Sequence, residues 1–339
     1  MTYEDMNNYG KFVNDLMDAL KAAAAAAGTS VELIRKTVIK VNGSKDSISV
    51  KFPGCNVAPV IYPADFYERY AITGIPAKEQ AEEVMSQLYK MHMDLPNITR
   101  NNFDRDYIRG NLFYKVVNRD MNREFEKEGP CCAYVGDLLL VPYLGVDVGQ
   151  YQGSIRFTND MMAYARFTSQ EIHAICMSQL DKQEFFCRSL DDILRETIEQ
   201  LQMPDYGLEE TQGNVNMYIL SNSDKSYGAV AAASDNAMLL VQRTIGEKDF
   251  YLIPSSVHEC LVVPSSFVDD PADLQRMCQN VNADESVVKR EDVLSDNIYR
   301  YDGETMELMV CNSLSELRQQ EEWKQERFNS EHSTICRRR

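Results

Sequence analysis

The stretch Asp249-Phe250-Tyr251-Leu252-Ile253-Pro254-Ser255-Ser256-Val257-His258-Glu259 decides the reading of the fold. Phe250 to Ile253 predicts a buried strand that stops at Pro254, because proline lacks the amide a ladder needs. A polar cluster follows, and then a second apolar run, Cys260 to Val263, closed by Pro264. Chemically capable side chains between two apolar runs form either a site or a structural corner.

Upstream, Met217 to Leu220 predicts a strand, Ser221 to Ser226 a polar turn, and Gly228 to Ala232 a strand of small residues. Asn236 to Ile245 is helical and ends at Gly246. Strand, turn, strand, helix, strand is an α+β unit. Leu138 to Ile175 has a similar order. Leu138 to Leu144 reads there as a central strand, Ser154 to Phe157 as its partner, and Thr168-x-x-Glu171 as a helix start, which suggests a weak strand-strand-helix repeat.

Downstream, Asp273 to Val281 reads as helix, Glu291 to Leu294 as a short helical turn, Met306 to Val310 as a strand and Leu314 to Phe328 as a charged helix. Toward the N-terminus, Thr2-x-x-Asp5 has capping-box spacing, and Tyr9 to Leu20 carries helical periodicity, continued by Ala22 to Ala27 up to Gly28. Val38 to Val41, Asn42-Gly43 and Ile48 to Phe52 read as a hairpin. Asp65 to Ala71 is a short helix ending near Gly74, and Pro76 opens another. Leu112 to Val117 is a strand, Asn118 to Glu128 a polar helix, Ser189-x-x-Asp192 a helix start, and Asp205 to Asn214 a loop. The expected class is α+β, with mixed or antiparallel sheets and flanking helices in two packed subdomains. The expected segments are an N-terminal helix over 1–30, subdomains over 31–203 and 204–312, and a charged helix and tail over 313–339.

Composition narrows the function. The 339 residues carry a net charge of −17, which repels phosphate backbones and argues against nucleic acid. The basic run Arg337-Arg338-Arg339 reads as a solvated tail. No apolar run of about 18 residues predicts a membrane span, and Met1 to Asp5 lacks the marks of a secretion signal. The nine cysteines are odd in number, irregularly spaced and without C-x-x-C, so they read as reduced thiols of a cytoplasmic protein. The vicinal pair Cys131-Cys132 has no His or Cys beside it to complete a soft-metal site.

The chemistry of the cluster can be read in two ways. A zinc peptidase needs H-E-x-x-H, and Val262 stands where the second histidine belongs. His92, His173, His258 and His332 are the only histidines, and no two are close in sequence. A hydrolase would use Ser255 or Ser256 as nucleophile and His258 as base, oriented by Glu259, Asp137 or Asp296. Ser256 and His258 share a face only if the segment stays extended, and Glu259 then cannot join them. The structural reading has the serines capping a turn, His258 hydrogen-bonded to a neighbour, and Asp296, Tyr299 and Tyr301 tied into the same corner. Isolated glycines make no phosphate loop, and no cofactor or metal is implied.

Several segments together resemble a known pattern. They are Pro59-x-Ile61-Tyr62 with Phe66-Tyr67, Val117-Asn118 with Asn122, Gly136-Asp137-Leu138, Met217-Tyr218-x-Leu220-Ser221-Asn222 with Gly228-Ala229, Pro254-Ser255-Ser256-x-His258-Glu259, and Leu294-Ser295-Asp296-x-x-Tyr299-x-Tyr301. In order they resemble an uncharacterised bacterial family, domain of unknown function 5688, common in anaerobic Firmicutes. The resemblance implies a cytosolic bacterial protein and supplies no mechanism. Pro63-Ala64 departs from the Leu-Asn or Leu-Asp of that pattern, and Pro130-Cys131-Cys132 replaces a segment that more often holds basic or His residues.

Two classes of function remain. One is a non-enzymatic module that binds a protein or a small molecule, with Asp137, Asp296, Tyr299 and Tyr301 as binding candidates. The other is a hydrolase-like enzyme using Ser255, Ser256, His258 and Glu259. The absence of a nucleotide or zinc motif favours binding. Thiol titration of the denatured protein without reductant is expected to find nearly all nine cysteines free; three or fewer would refute the reduced state.

Overall fold

The computed structural model describes residues 3–92, 103–130, 132–148, 151–200 and 216–336. Thr2, Cys131, the 205–214 loop and Arg337 to Arg339 lie outside them. The chain forms two compact units, Met1–Ile108 with Val146–Gly153, and Arg109–Gly145 with Ser154–Arg339.

The first unit begins with α1 (Tyr3–Ala26), then the hairpin β1 (Glu32–Lys40) and β2 (Gly43–Lys51), the short β3 (Val60–Ile61), α2 (Pro63–Thr73) and α3 (Ala77–His92). Phe12, Leu16 and Leu20 recur at helical spacing and are buried with Ile48, Val50 and Phe52 of β2 and with Ala81, Met85 and Leu88 of α3. The hairpin turn is Val41-Asn42, one residue earlier than Asn42-Gly43, because Lys40 pairs with Gly43. Asn42 takes the left-handed conformation that the turn requires, at φ 59°.

The second unit takes up at α4 (Arg105–Asn111), which spans the division. It continues with β4 (Leu112–Asn118), α5 (Arg123–Glu128), β5 (Ala133–Val135), β6 (Leu138–Val148), β7 (Tyr151–Arg156), α6 (Asn159–Ala165) and α7 (Ser169–Leu180). β8 (Phe185–Ser189), α8 (Leu190–Gln200), β9 (Tyr218–Asn222), α9 (Asp235–Ile245), β10 (Phe250–Ser256) and β11 (Glu259–Pro264) follow. α10 (Pro271–Asn282), β12 (Tyr299–Asp302), β13 (Glu307–Val310) and α11 (Leu314–Cys336) complete it. One sheet runs β4-β6-β5, with β7 also on β6; the other runs β13-β12-β10-β11-β9-β8. The pairings are antiparallel, one of the two arrangements expected of the α+β class. β6 is central as expected, with Leu138 to Val141 buried. The Thr168–Glu171 capping box is present at the start of α7.

The structure corrects three local expectations. β10 does not stop at Pro254 but runs through it to Ser256. Its pairing with β12 ends at Leu252, and its register with β11 shifts between Ile253 and Ser256, so no partner needs the missing amide. Gly228–Ala233 is a buried 3-10 helix rather than a strand, which removes a strand from the second half of the suspected repeat. Residues 291–294 form a turn and an irregular stretch in place of a helical turn. β8 and β9 pair antiparallel in the six-stranded sheet.

Gly228 shows why the small-residue run is not a strand. It packs directly under the β9 and β11 backbones. A Cβ there would stand 2.6 Å from the His258 carbonyl oxygen and 2.7 Å from the Asn222 amide nitrogen. Backbone atoms cannot swing away as a side-chain tip can. Gly228→Ala is expected to cost about 3 kcal/mol or more by overpacking, read as a fall in the urea midpoint; an unchanged midpoint would refute the close approach.

Candidate functional site

The cluster at the centre of the sequence is the tip of the β10–β11 hairpin. Ser256 pairs with Glu259, leaving Val257-His258 as the two turn residues. Ser256 Oγ accepts the His258 amide at 3.1 Å, and Ser255 Oγ donates to the Glu259 carbonyl at 3.1 Å. Both hydroxyls therefore serve the turn, as serines do when they mimic a backbone turn. The segment is not extended through His258, so the condition for Ser256 and His258 to share a strand face is absent.

His258 is half-buried and held on several sides. Its carbonyl accepts Ser221 Oγ at 2.8 Å, and Val257 donates its amide to the Asp292 carbonyl at 2.9 Å. Nδ1 accepts the Tyr227 amide at 3.3 Å, which puts the proton of the neutral ring on Nε2. Nε2 stands 3.5 Å from Asp292 Oδ1. The carboxylate beside this histidine is thus Asp292, not Glu259, Asp137 or Asp296. Tyr227 sits at φ 53°, a left-handed conformation that costs a non-glycine residue about 1–2 kcal/mol, and its ring lies 5.5 Å from the His258 ring.

Tyr227 also contacts a residue the sequence reading passed over. Lys115 of β4 is 7% exposed, with its Nζ 3.5 Å from the Tyr227 ring centroid and 4.6 Å from that of Tyr143. It donates to Ser154 Oγ at 2.8 Å and makes no ion pair among the described residues. Burial pulls the amine down to about 8, while the electron-rich ring faces favour its charged form and offset part of that cost. Burial likewise pushes the Tyr143 phenol up to about 12. Ser154, Lys115, Tyr227, His258 and Asp292 thus form one continuous chain of contacts. The available signal was a lone lysine inside the apolar run Leu112-Phe113-Tyr114-Lys115-Val116-Val117. Nothing marked Tyr227 or Asp292.

The remaining candidates occupy a second cluster. Asp137 accepts Ser295 Oγ at 2.7 Å through one carboxylate oxygen and the Tyr299 hydroxyl through the other. Burial and the Asp137 charge push the Tyr299 phenol far up. Gly136, at φ 58°, lets this loop pass over the Tyr299 ring, since a Cβ would stand 2.5 Å from Tyr299 Cε1. Asp296 accepts Asn282 Nδ2 at 2.8 Å, and Asn282 also holds the Ser295 carbonyl at 2.9 Å. Tyr301 is buried against Phe250, with the rings stacked 4.9 Å apart. Tyr299 and Tyr301 are interior groups.

Pro59-x-Ile61-Tyr62 with Phe66-Tyr67 lies in the first unit, and the other motif segments lie at the hairpin tip and the Asp137 cluster. The family model described as "Family of unknown function (DUF5688)" matches residues 9–303. The chain belongs to this family. No curated protein and no solved structure matches it. The match takes in the hairpin tip, the Lys115 chain of contacts and the Asp137 cluster. It also takes in all of α1 from Tyr9 onward, outside the segments that carried the resemblance.

Cys55, Cys132, Cys176, Cys187, Cys260, Cys278 and Cys311 form no disulfide, and the last five are buried. Burial pushes the Cys187 and Cys311 thiols up to about 11 and Cys278 to about 12, so these act as packing groups, not nucleophiles. Among the described residues no helix is long and apolar enough to cross a membrane, and no cluster of three metal-ligating side chains occurs.

The buried amine has a consequence for stability. In the unfolded chain Lys115 titrates near 10.5, and in the folded protein near 8. Between those values the unfolded chain holds the extra proton, so the stability of the folded state rises as pH rises through the window. The cost of burying the charge is fully present below pH 8. Urea midpoints of wild type are expected to rise relative to those of Lys115→Met from about pH 8 to 10.5. Parallel profiles would show that Lys115 keeps its ordinary titration.

Proposed function

We propose that the protein is a non-enzymatic binding module of the bacterial cytoplasm, and that the hairpin tip with Tyr227, His258 and Asp292 is a held recognition surface. The observation that carries this reading is how the cluster's hydrogen bonds are spent. A nucleophilic serine must donate to its base. Here the Ser256 oxygen accepts from the His258 main chain, the Ser255 hydroxyl donates to a carbonyl, and His258 Nδ1 accepts a backbone amide. The imidazole remains 40% exposed beside an Asp292 that is 29% exposed, so a partner can reach both. An aromatic ring, an imidazole and a carboxylate fixed by backbone contacts suit recognition, because little side-chain freedom is lost on binding. Asp137, Asp296, Tyr299 and Tyr301, the earlier binding candidates, support that surface from behind in this reading.

Two measurements separate this reading from the hydrolase. A fluorophosphonate probe, which labels activated serines, is expected to leave Ser255 and Ser256 unmodified. His258→Ala is expected to lower stability by about 1 kcal/mol, since the Tyr227 amide loses its acceptor. Labelling at either serine that disappears in His258→Ala, with an unchanged urea midpoint, would establish the enzyme instead.

A further inference from the structure

In the first unit β1 is an edge strand. It pairs with β2 on one side, and among the described residues no strand pairs with the other. Lys40 and Gly43 face each other across the two-residue turn. The pair that closes such a turn exchanges both main-chain hydrogen bonds, and the exchange recurs at every second residue. Ile34, Lys36, Val38 and Lys40 therefore direct their amides and carbonyls toward β2; accordingly, the Lys36 carbonyl also accepts Ser47 Oγ at 2.8 Å. Leu33, Arg35, Thr37 and Ile39 direct theirs outward, away from β2.

The side chains of Ile34, Lys36, Val38 and Lys40 share one face of the sheet. Ile34 is 43% exposed, and Lys36 and Lys40 are exposed. Arg35 is held by Asp46 at 2.7 Å and Lys51 by Glu32 at 3.2 Å, whereas Lys36 and Lys40 have no carboxylate partner among the described residues. Residues 32–51 hold five basic side chains and two acidic ones, in a chain whose net charge is −17. Lysines on an edge discourage pairing with a second copy of the same strand. They favour an acidic one.

We infer that the outer edge of β1 docks an extended acidic peptide, which adds as a further strand with acidic residues opposite Lys36 and Lys40 and apolar residues opposite Ile34 and Val38. Main-chain hydrogen bonds to residues 33, 35, 37 and 39 supply affinity, and the alternating face supplies selectivity. This names a partner class for the binding reading, and it uses residues remote in sequence from the hairpin tip, so its failure would leave the fluorophosphonate and His258→Ala results standing.

The test uses the full chain and a fluorescent peptide that repeats Glu-Thr-Val-Thr. The peptide is expected to bind, and binding is expected to slow amide exchange at residues 33, 35, 37 and 39. Lys36→Glu/Lys40→Glu is expected to weaken it about tenfold or more, equivalent to about 1.4 kcal/mol per decade. Thr37→Pro removes one outward amide and leaves the β1–β2 ladder intact, so it is expected to abolish binding at an unchanged melting midpoint. If that variant fails to fold, the charge-reversed variant still decides. No binding, or binding indifferent to the charge reversal and equal for a peptide with Lys in place of Glu, would overturn the proposal. A dimer of the free protein that Thr37→Pro dissociates would assign the edge to a second copy and overturn it as well.

Discussion

A single carboxylate ties the two sheets of the second unit together. Asp137, on the turn between β5 and β6, receives Ser295 Oγ and the Tyr299 hydroxyl from the segment that leads into β12. Asn118, at the end of β4, reinforces the join by donating to the Leu294 carbonyl at 2.9 Å. Such bonds to an ionised acceptor are stronger than neutral ones, and breaking one leaves a polar group without a partner in a poorly hydrated place. Tyr299 and Ser295 are fully buried, so their hydroxyls have no water to turn to. The 292–296 segment is held at Ser295 by this join and at Asp292 by the Val257 amide, 2.9 Å from the Asp292 carbonyl.

A second network fastens the C-terminal helix. Arg300 of β12 is nearly buried and meets Asp249 at 2.8 Å, while Asp302 is held by Lys324 of α11 at 3.0 Å. Arg327 reaches Glu307 of β13 at 3.1 Å. The exposed pairs add little individually. Asp302 is different, because it is buried and also accepts the amides of Glu304 and Thr305, which with Lys324 hold its carboxyl below the usual range against the opposing effect of burial. α11 is therefore part of the sheet's charge balance rather than a loose tail.

Much of the fold was legible where local chemistry and tertiary context agree. The helix face of Phe12, Leu16 and Leu20, the Thr168–Glu171 box and the left-handed glycines at 28, 74 and 246 are decided within a turn or two of chain. Pro254 misled because its cost depends on whether a neighbour needs the missing amide, which only the sheet register reveals. Gly228 to Ala232 misled because small residues suit both a strand and a backbone packed flat under others. At the site, the residue types of the 255–259 cluster were legible, but their directions were not. A two-residue turn, instead of an extended strand, spends both serine hydroxyls on the turn. Lys115, Tyr227 and Asp292 come from three distant segments, and no spacing rule links them.

The join at Asp137 also bears on how the chain reaches this structure. Its two partners are separated from it by 158 and 162 residues. The hairpins β5–β6 and β10–β11 are local and can form early, but the contact between their sheets must wait for the ordering of nearly half the chain. Contacts of such separation form slowly, because the loop they close must be ordered first. During synthesis the 136–137 turn emerges long before Tyr299 exists, and its carboxylate stays hydrated until β12 arrives. Closure of this join is therefore expected late in folding, after the hairpins on either side of it.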